Sequence, residues 1–348
     1  MGNTKYSFKN DYSELAHADI IDEIVKADSL QYEGYGDDVY CLRAAEMIKA
    51  QIQREDADIH FVTGGTQANL LAISSFLRPH ESVIAVATGH IAVHETGAIE
   101  STGHKVNTIA GKNGKVTVSD IQQVLDTHTD EHMVKPRLVF VSNSTEVGTV
   151  YTKAELTAIS NFCKSHDLLL YLDGARLGVA LTSAHNDLTL PDLAALTDAF
   201  YIGGTKNGAM LGEAIVILNP ALKSDFRFFI KQKGALLAKG SLIGIQFCRL
   251  FQGGLYFDLA SHANQMAEKL ADGIARLGYA FLAPCETNQI FPILPDRVIA
   301  ELQKKYDFYR WSRVDTQNSA ARLVTSWATE ETAVDAFLGD LDENSHSQ

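Results

Sequence analysis

Short, unbroken apolar runs alternate with longer stretches of helical periodicity through the first two thirds of the chain. Runs at Ser82–Thr88, Leu138–Ser142, Leu168–Leu172, Ala199–Ile202 and Ala214–Leu218 are four to seven residues long and are drawn largely from Val, Ile, Leu, Phe, Tyr and Ala. Such runs predict strands buried on both faces. Asp58–Thr63 predicts a further strand, followed by a turn at Gly64-Gly65 and a helix opening near Thr66. Helical spacing predicts helices over Ala18–Ala27 and Tyr40–Gln53, and one running through Leu125 with Ser119 as its cap. Thr152-Lys-Ala-Glu155 is a capping box that opens a helix through Cys163. Strands alternating with helices imply a mainly parallel sheet covered on both faces. A ligand of such a sheet lies beyond the carboxyl ends of the strands.

After about residue 220 the pattern changes. Lys223–Leu236 and Asp258–Leu277 predict helices, and Gln289–Leu294 and Ala321–Trp327 predict short strands separated by a helix over Asp296–Tyr306. We therefore expect three parts: an amino-terminal arm and helix (1–40), a large α/β domain (41–245) and a smaller α+β domain (246–348). The first forty residues, dense in Gly, Asp and aromatic side chains, make a poor core of their own. They are expected to pack on other elements or on a second subunit, with a surface loop as the alternative. The polar tail from Asp340 is expected to fray.

Composition adds exclusions. With 348 residues, 46% of them hydrophobic, the chain can bury a large core, and a formal charge of −13 disfavours nucleic acid or an anionic membrane as partner. No segment approaches the roughly 18 to 20 apolar residues that span a bilayer. The first residues lack the apolar core of a signal peptide, so a cytoplasmic location is expected. Cys41, Cys163, Cys248 and Cys285 are scattered without C-x-x-C spacing, which points to reduced thiols rather than disulfides or metal ligands; no metal is expected.

Two strand ends carry the chemistry. Lys206 sits in the small-residue turn Gly203-Gly-Thr-Lys-Asn-Gly208, and Asp173 closes the run Leu168–Leu172. Alone, Lys206 reads equally well as a solvated loop charge. Together, an amine able to form an imine and a carboxylate able to hold a pyridinium proton are the two groups a pyridoxal phosphate enzyme needs. Gly65 and Thr66 at a helix start suit a phosphate. They lack both the Gly-Lys-Ser/Thr of a P-loop and the G-x-G-x-x-G of a dinucleotide fold. His90, after the run Ser82–Thr88, could lie flat on a heteroaromatic ring. Lys231, Lys233 and Lys239 are candidate phosphate partners.

The order of Gly-Thr-Gln-Ala-Asn at 65–69, Gly-His at 89–90, Leu-Asp-Gly-Ala-Arg at 172–176, the lysine turn at 203–208 and Arg-Leu-Val-Thr at 322–325 resembles the threonine aldolase and β-eliminating lyase family. The resemblance implies fold type I: a large domain with a mainly parallel seven-stranded sheet between helices, plus a smaller α+β carboxyl-terminal domain. It implies pyridoxal 5'-phosphate as cofactor, with Lys206 as Schiff-base lysine, Asp173 at the ring nitrogen, His90 stacked on the ring, and Gly65, Thr66 and Thr205 at the phosphate. Arg176 and Arg322 would clamp the substrate carboxylate, Asn10 would lie beside it, and Tyr35 would reach a neighbouring subunit's site in a homodimer or homotetramer.

Two positions depart from the family pattern. Glu146 stands where many members have a histidine, and Lys9-Asn10-Asp11 replaces an Arg-Ser-Asp segment. Glu146 is either the proton acceptor or a determinant of selectivity. The expected activity is cleavage of L-threonine, L-allo-threonine or a related β-hydroxy-α-amino acid to glycine and an aldehyde. A β-eliminating lyase acting on a serine- or cysteine-like amino acid is the near alternative, and a non-catalytic pyridoxal phosphate sensor the alternative from another class.

Overall fold

The computed structural model describes residues 5–27 and 31–346. A two-residue strand, β1 (Tyr6–Ser7), pairs in parallel with Tyr306–Asp307 near the other end of the chain. Phe8 then enters an apolar cluster with Leu270, Ile274, Val298 and Phe337. The arm is thus fastened to the carboxyl-terminal part of the molecule and is not a surface loop. Helices α1 (Ala18–Lys26) and α2 (Val39–Ile52) follow. Asp38 starts α2 by accepting the Tyr40 and Cys41 N–H groups.

The next segment runs β2 (Asp58–Val62), α3 (Gly65–Phe76), β3 (Glu81–Val86), α4 (His90–Val93), β4 (Val106–Ile109), α5 (Val118–Thr127), β5 (Lys135–Ser142), α6 (Lys153–Ser165) and β6 (Leu169–Asp173). It continues through α7 (Leu177–Leu181), α8 (Leu190–Leu196), β7 (Ala199–Gly203) and β8 (Glu213–Ile217). The seven strands form one sheet in the order β2-β8-β7-β6-β5-β3-β4, in which β8 alone runs against the rest. Alternate residues serve opposite faces: Leu138, Phe140, Tyr171 and Tyr201 pack into one core, and Val139, Val141, Leu172 and Phe200 into the other. Both faces are covered, which is why these strands read as continuous apolar runs. The cap of α5 is Thr117, in a capping box with Asp120, two residues before the expected Ser119.

Helices α9 (Phe226–Gln232), α10 (Ser241–Phe251) and α11 (Leu255–Arg276) come next. The expected helix over 223–236 is cut short at Gly234, whose φ of 70° leaves the helical region. Along α11, Tyr256 and Leu259 pack against the large sheet and Met266, Leu270 and Ile274 pack into the carboxyl-terminal core, so one helix joins the two. The chain then forms β9 (Gln289–Ile290), β10 (Ile293–Pro295), α12 (Asp296–Leu302), β11 (Tyr306–Asp307), β12 (Tyr309–Arg313), β13 (Asn318–Val324) and α13 (Glu331–His346). Strand β13 pairs antiparallel with β9, β10 and β12. The tail is helical to His346, because Val334, Phe337 and Leu341 recur at helical spacing and are buried; residues 347–348 lie outside the described part. Among the described residues no helix is long and apolar enough to cross a membrane.

Candidate active site

Five of the strands deliver their following residues to one rim of the sheet, as parallel strands must, and β8, running the other way, brings its first residue, Glu213, to the same rim. These residues line a cleft of ≈ 620 Å³. Lys206 follows β7 in a turn closed by the Gly204 N–H to Gly212 O (3.0 Å) and Asn207 N–H to Gly204 O (2.8 Å) bonds. Glu213 faces Gly203 across the hairpin and is buried. Its carboxylate accepts the Gly204 N–H at 3.0 Å and the Thr205 hydroxyl at 2.8 Å, which fixes the turn. Desolvation in the cleft, reinforced by the Arg176 charge, draws the Lys206 ammonium down to about 8, against the opposing pull of Asp11, Asp173 and Glu213. Burial likewise pushes the Glu213 carboxyl up to about 8.

Asp173 ends β6 in register with Ser142 at the end of β5. Its Oδ1 accepts from the Tyr201 hydroxyl at 2.6 Å and the Ala175 N–H at 2.9 Å, and its Oδ2 from Asn69 Nδ2 at 2.9 Å. Asn69 also donates to Glu95 Oε1 at 2.8 Å, and His90 Nδ1 meets that same oxygen at 2.8 Å. A carboxylate only accepts, so His90 carries a proton on Nδ1, which leaves Nε2 as the ring nitrogen not engaged by Glu95. Glu146 Oε1 accepts the His90 N–H at 2.9 Å and the Ser142 hydroxyl at 2.7 Å, whereas its buried Oε2 has no partner among the described residues. Desolvation outweighs those two donors and raises the Glu146 pKa.

The remaining wall is cationic and aromatic. Arg176 is paired with Asp11, Nε to Oδ2 at 2.6 Å and Nη2 to Oδ1 at 3.0 Å. Arg322 donates from Nη2 to Gln289 Oε1 at 2.6 Å and lies 5.6 Å from the Trp311 ring centre. Burial lowers the Arg322 pKa to about 10.

Gly65, Thr66, His90, Glu146, Asp173 and Lys206 therefore share one cleft, along with Arg176, Thr205 and Arg322. Other expectations need correction. Asn10 does not line the cleft; its Oδ1 closes a local turn by accepting the Tyr12 N–H and the Ser13 hydroxyl, and Tyr12 reaches the cleft instead. The Thr205 hydroxyl lines the cleft but is already engaged by Glu213 and the Gly212 N–H, so in this structure it holds the lysine turn. Tyr35, expected at a neighbouring subunit's site, lies away from this chain's own cleft, under the Lys231 ammonium at 4.5 Å, and that expectation is not corrected by its position. Lys231, Lys233 and Lys239 are exposed and do not line the cleft. The sequence does not point to Tyr201, Glu213 or Asn69 as site residues, although Tyr201 and Glu213 sit on strands flanking the lysine turn. Among the described residues no cluster of His, Cys, Asp or Glu could hold a metal.

The donor set fits pyridoxal phosphate. Helix α3 begins with a Gly64 cap that offers no side chain, and the Gly65 and Thr66 N–H groups have no partner among the described residues, which leaves an anion site at a helix start. A Cβ on Gly65 would stand 2.8 Å from the Tyr201 hydroxyl, so the approach is kept open by the missing side chain. An amine of lowered pKa and a carboxylate held by three donors occupy the same cleft.

Residues 21–296 match the family model described as β-eliminating lyase. The low specificity L-threonine aldolase of Pseudomonas sp. (strain NCIMB 10558) is 35% identical over 323 residues, 91% of this chain and 91% of that protein. That of Pseudomonas aeruginosa is 34% identical, covering 88% of each. The solved threonine aldolase of Leishmania major is 51% identical with a TM-score of 0.97, covering 98% of this chain and 99% of that one. A Thermus thermophilus aspartate aminotransferase, 15% identical with a TM-score of 0.70, shares the fold.

Proposed function

The chain belongs to the β-eliminating lyase family, and from that membership we propose that it is a pyridoxal 5'-phosphate-dependent aldehyde-lyase. It cleaves the Cα–Cβ bond of L-threonine, L-allo-threonine or a related β-hydroxy-α-amino acid to give glycine and an aldehyde. The observation that carries this reading is the meeting of Lys206 and Asp173 in one cleft beside the open start of α3.

Lys206 would tether the cofactor, Asp173 would face its ring nitrogen, Gly65 and Thr66 would hold its phosphate, and His90 would lie against its ring. Bound there, pyridoxal phosphate supplies a carbonyl for the substrate amino group and a ring that accepts the electron pair released at Cα. The chain's own residues do the rest. Tyr201 and Asn69 keep the Asp173 carboxylate in place. Arg176 and Arg322 orient the α-carboxylate, a task suited to the guanidinium fork. His90 Nε2 takes the β-hydroxyl proton, since Glu95 occupies Nδ1. Glu146 anchors His90 through its backbone N–H, while its own Oε2 stays buried and unpaired among the described residues.

Incubating cofactor-loaded protein with L-threonine, L-allo-threonine, phenylserine and L-serine tests the reaction. Glycine plus the matching aldehyde is expected from the first three; a keto acid and ammonia, without glycine, would overturn the aldolase reading in favour of β-elimination.

The working unit in this proposal is a homodimer or homotetramer with sites at the subunit interface. Leu42 (59% exposed), which lines a pocket with Tyr35, and the exposed Val39 (60%) and Phe228 (76%) support it as apolar side chains that a second copy of the chain would cover. A cytoplasmic location belongs to the same proposal, supported by four free thiols.

A further inference from the structure

Asp11 lies on the amino-terminal arm and is 1% exposed. A carboxylate so far from water is costly unless fully partnered. Its partners come from two distant segments: Arg176 donates from Nε and Nη2, and Asn288 donates from Nδ2 at 2.9 Å. Burial alone would raise the Asp11 pKa, but Arg176 and Lys206 outweigh it and hold the carboxyl below its usual range. Asp11 is therefore a permanent acceptor. Both donors lead to the cleft, because Arg176 lines it and Asn288 precedes Gln289, the residue that holds Arg322.

The edge of Arg176 that Asp11 occupies is informative. A planar guanidinium offers a carboxylate two forks, a side edge of Nε with Nη2 and an end edge of Nη1 with Nη2. Asp11 fills the side edge. Nη1 has no hydrogen-bond partner among the described residues, so the end edge is the part of Arg176 left for a second carboxylate.

We propose that Asp11 is a positioning residue for the substrate: by gripping the side edge of Arg176 it aims the end edge at the α-carboxylate, which makes the amino-terminal arm part of substrate binding. The inference rests on the reading above, in which an amino acid's carboxylate meets Arg176. It also gives the arm's fastening at Phe8 a consequence, because the arm must be held still for Asp11 to hold Arg176.

Asp11→Asn keeps the shape and one acceptor oxygen but removes the charge. In protein loaded with pyridoxal phosphate, the dissociation constant for glycine, read by spectral titration, should rise about tenfold or more. The KM for L-threonine should rise with it, and by more than kcat falls. Glycinamide, which has no carboxylate, should bind wild type and variant with equal affinity; a residue that only holds the fold together would weaken both ligands alike. Asp11→Glu, which keeps the charge but moves it by one methylene, should give an intermediate loss and serves if the asparagine variant does not fold. An unchanged glycine affinity, or equal losses for glycine and glycinamide, overturns the proposal. If wild type binds glycine yet cleaves no β-hydroxy amino acid, the reaction assignment fails while the glycine comparison still decides the role of Asp11.

Discussion

His90 and Glu146 touch through a backbone N–H, yet they are tuned differently. Glu95 fixes a proton of His90 on Nδ1 and leaves Nε2 unengaged, whereas burial makes Glu146 hold its own proton more tightly. Replacing His90 with Asn should lower kcat by about 10²–10⁴, the usual contribution of a positioned base, and Glu146→Gln should cost less than about tenfold. Steady-state kinetics with L-threonine checks this, and a larger loss in Glu146→Gln would move the proton acceptor to Glu146. Lys206 and Asp173 were legible as chemistry because each ends an apolar run, and a charge there must face a rim. The local bonds of Asn10 and Thr205 were not: their side chains answer to Tyr12 and Ser13 in one case and Glu213 in the other. No spacing rule reveals that a neighbouring N–H or carboxylate has already taken a hydroxyl or amide.

The hairpin of β7 and β8 and the strand end at β6 are pressed together by glycine. A Cβ on Gly174 would lie 1.8 Å from Tyr201 O, so the backbone carrying Asp173 can approach that carrying Lys206 only without a side chain. Gly174→Ala should therefore lower unfolding stability by about 3 kcal/mol or more, measured by urea titration; a loss below about 1 kcal/mol would mean the strands can separate without harm. At this scale the central strands β3, β5, β6, β7 and β8 were readable from sequence, since burial on both faces leaves an uninterrupted apolar signal. Strand β12 was not, because it is half-exposed, mixes Arg, Ser and Trp, and carries a register shift between Arg310 and Ser312. Its loss hid Tyr309, Arg310 and Trp311 from the predicted cleft. Helix α13 had a usable signal in Val334, Phe337 and Leu341, outweighed by the polar residues after Asp340.

Two apolar cores lie on the faces of the large sheet, α11 links one of them to the carboxyl-terminal core, and one titratable group inside the molecule sets an acid limit. His60 on β2 packs 4.9 Å from the Phe226 ring with its Nε2 unpaired, and burial lowers its pKa to about 4 from 6.5. Asp58 pulls that value up and Arg227 pulls it down. The unfolded chain takes the proton first as pH falls, so this contribution is full above pH 6.5 and is lost on the way to pH 4. The loss amounts to up to about 3 kcal/mol. Urea unfolding of wild type and His60→Phe at pH 7 and pH 4.5 checks it: the variant should lose less stability between the two, and parallel losses would remove His60 from the account. In the proposed reaction Lys206, in the turn between β7 and β8, is the residue that would bind the cofactor covalently. Borohydride treatment of the cofactor-loaded protein, followed by proteolysis and peptide mass spectrometry, tests it directly. The account predicts the reduced cofactor on the peptide containing Lys206, and its appearance on another lysine, or on none, would contradict it.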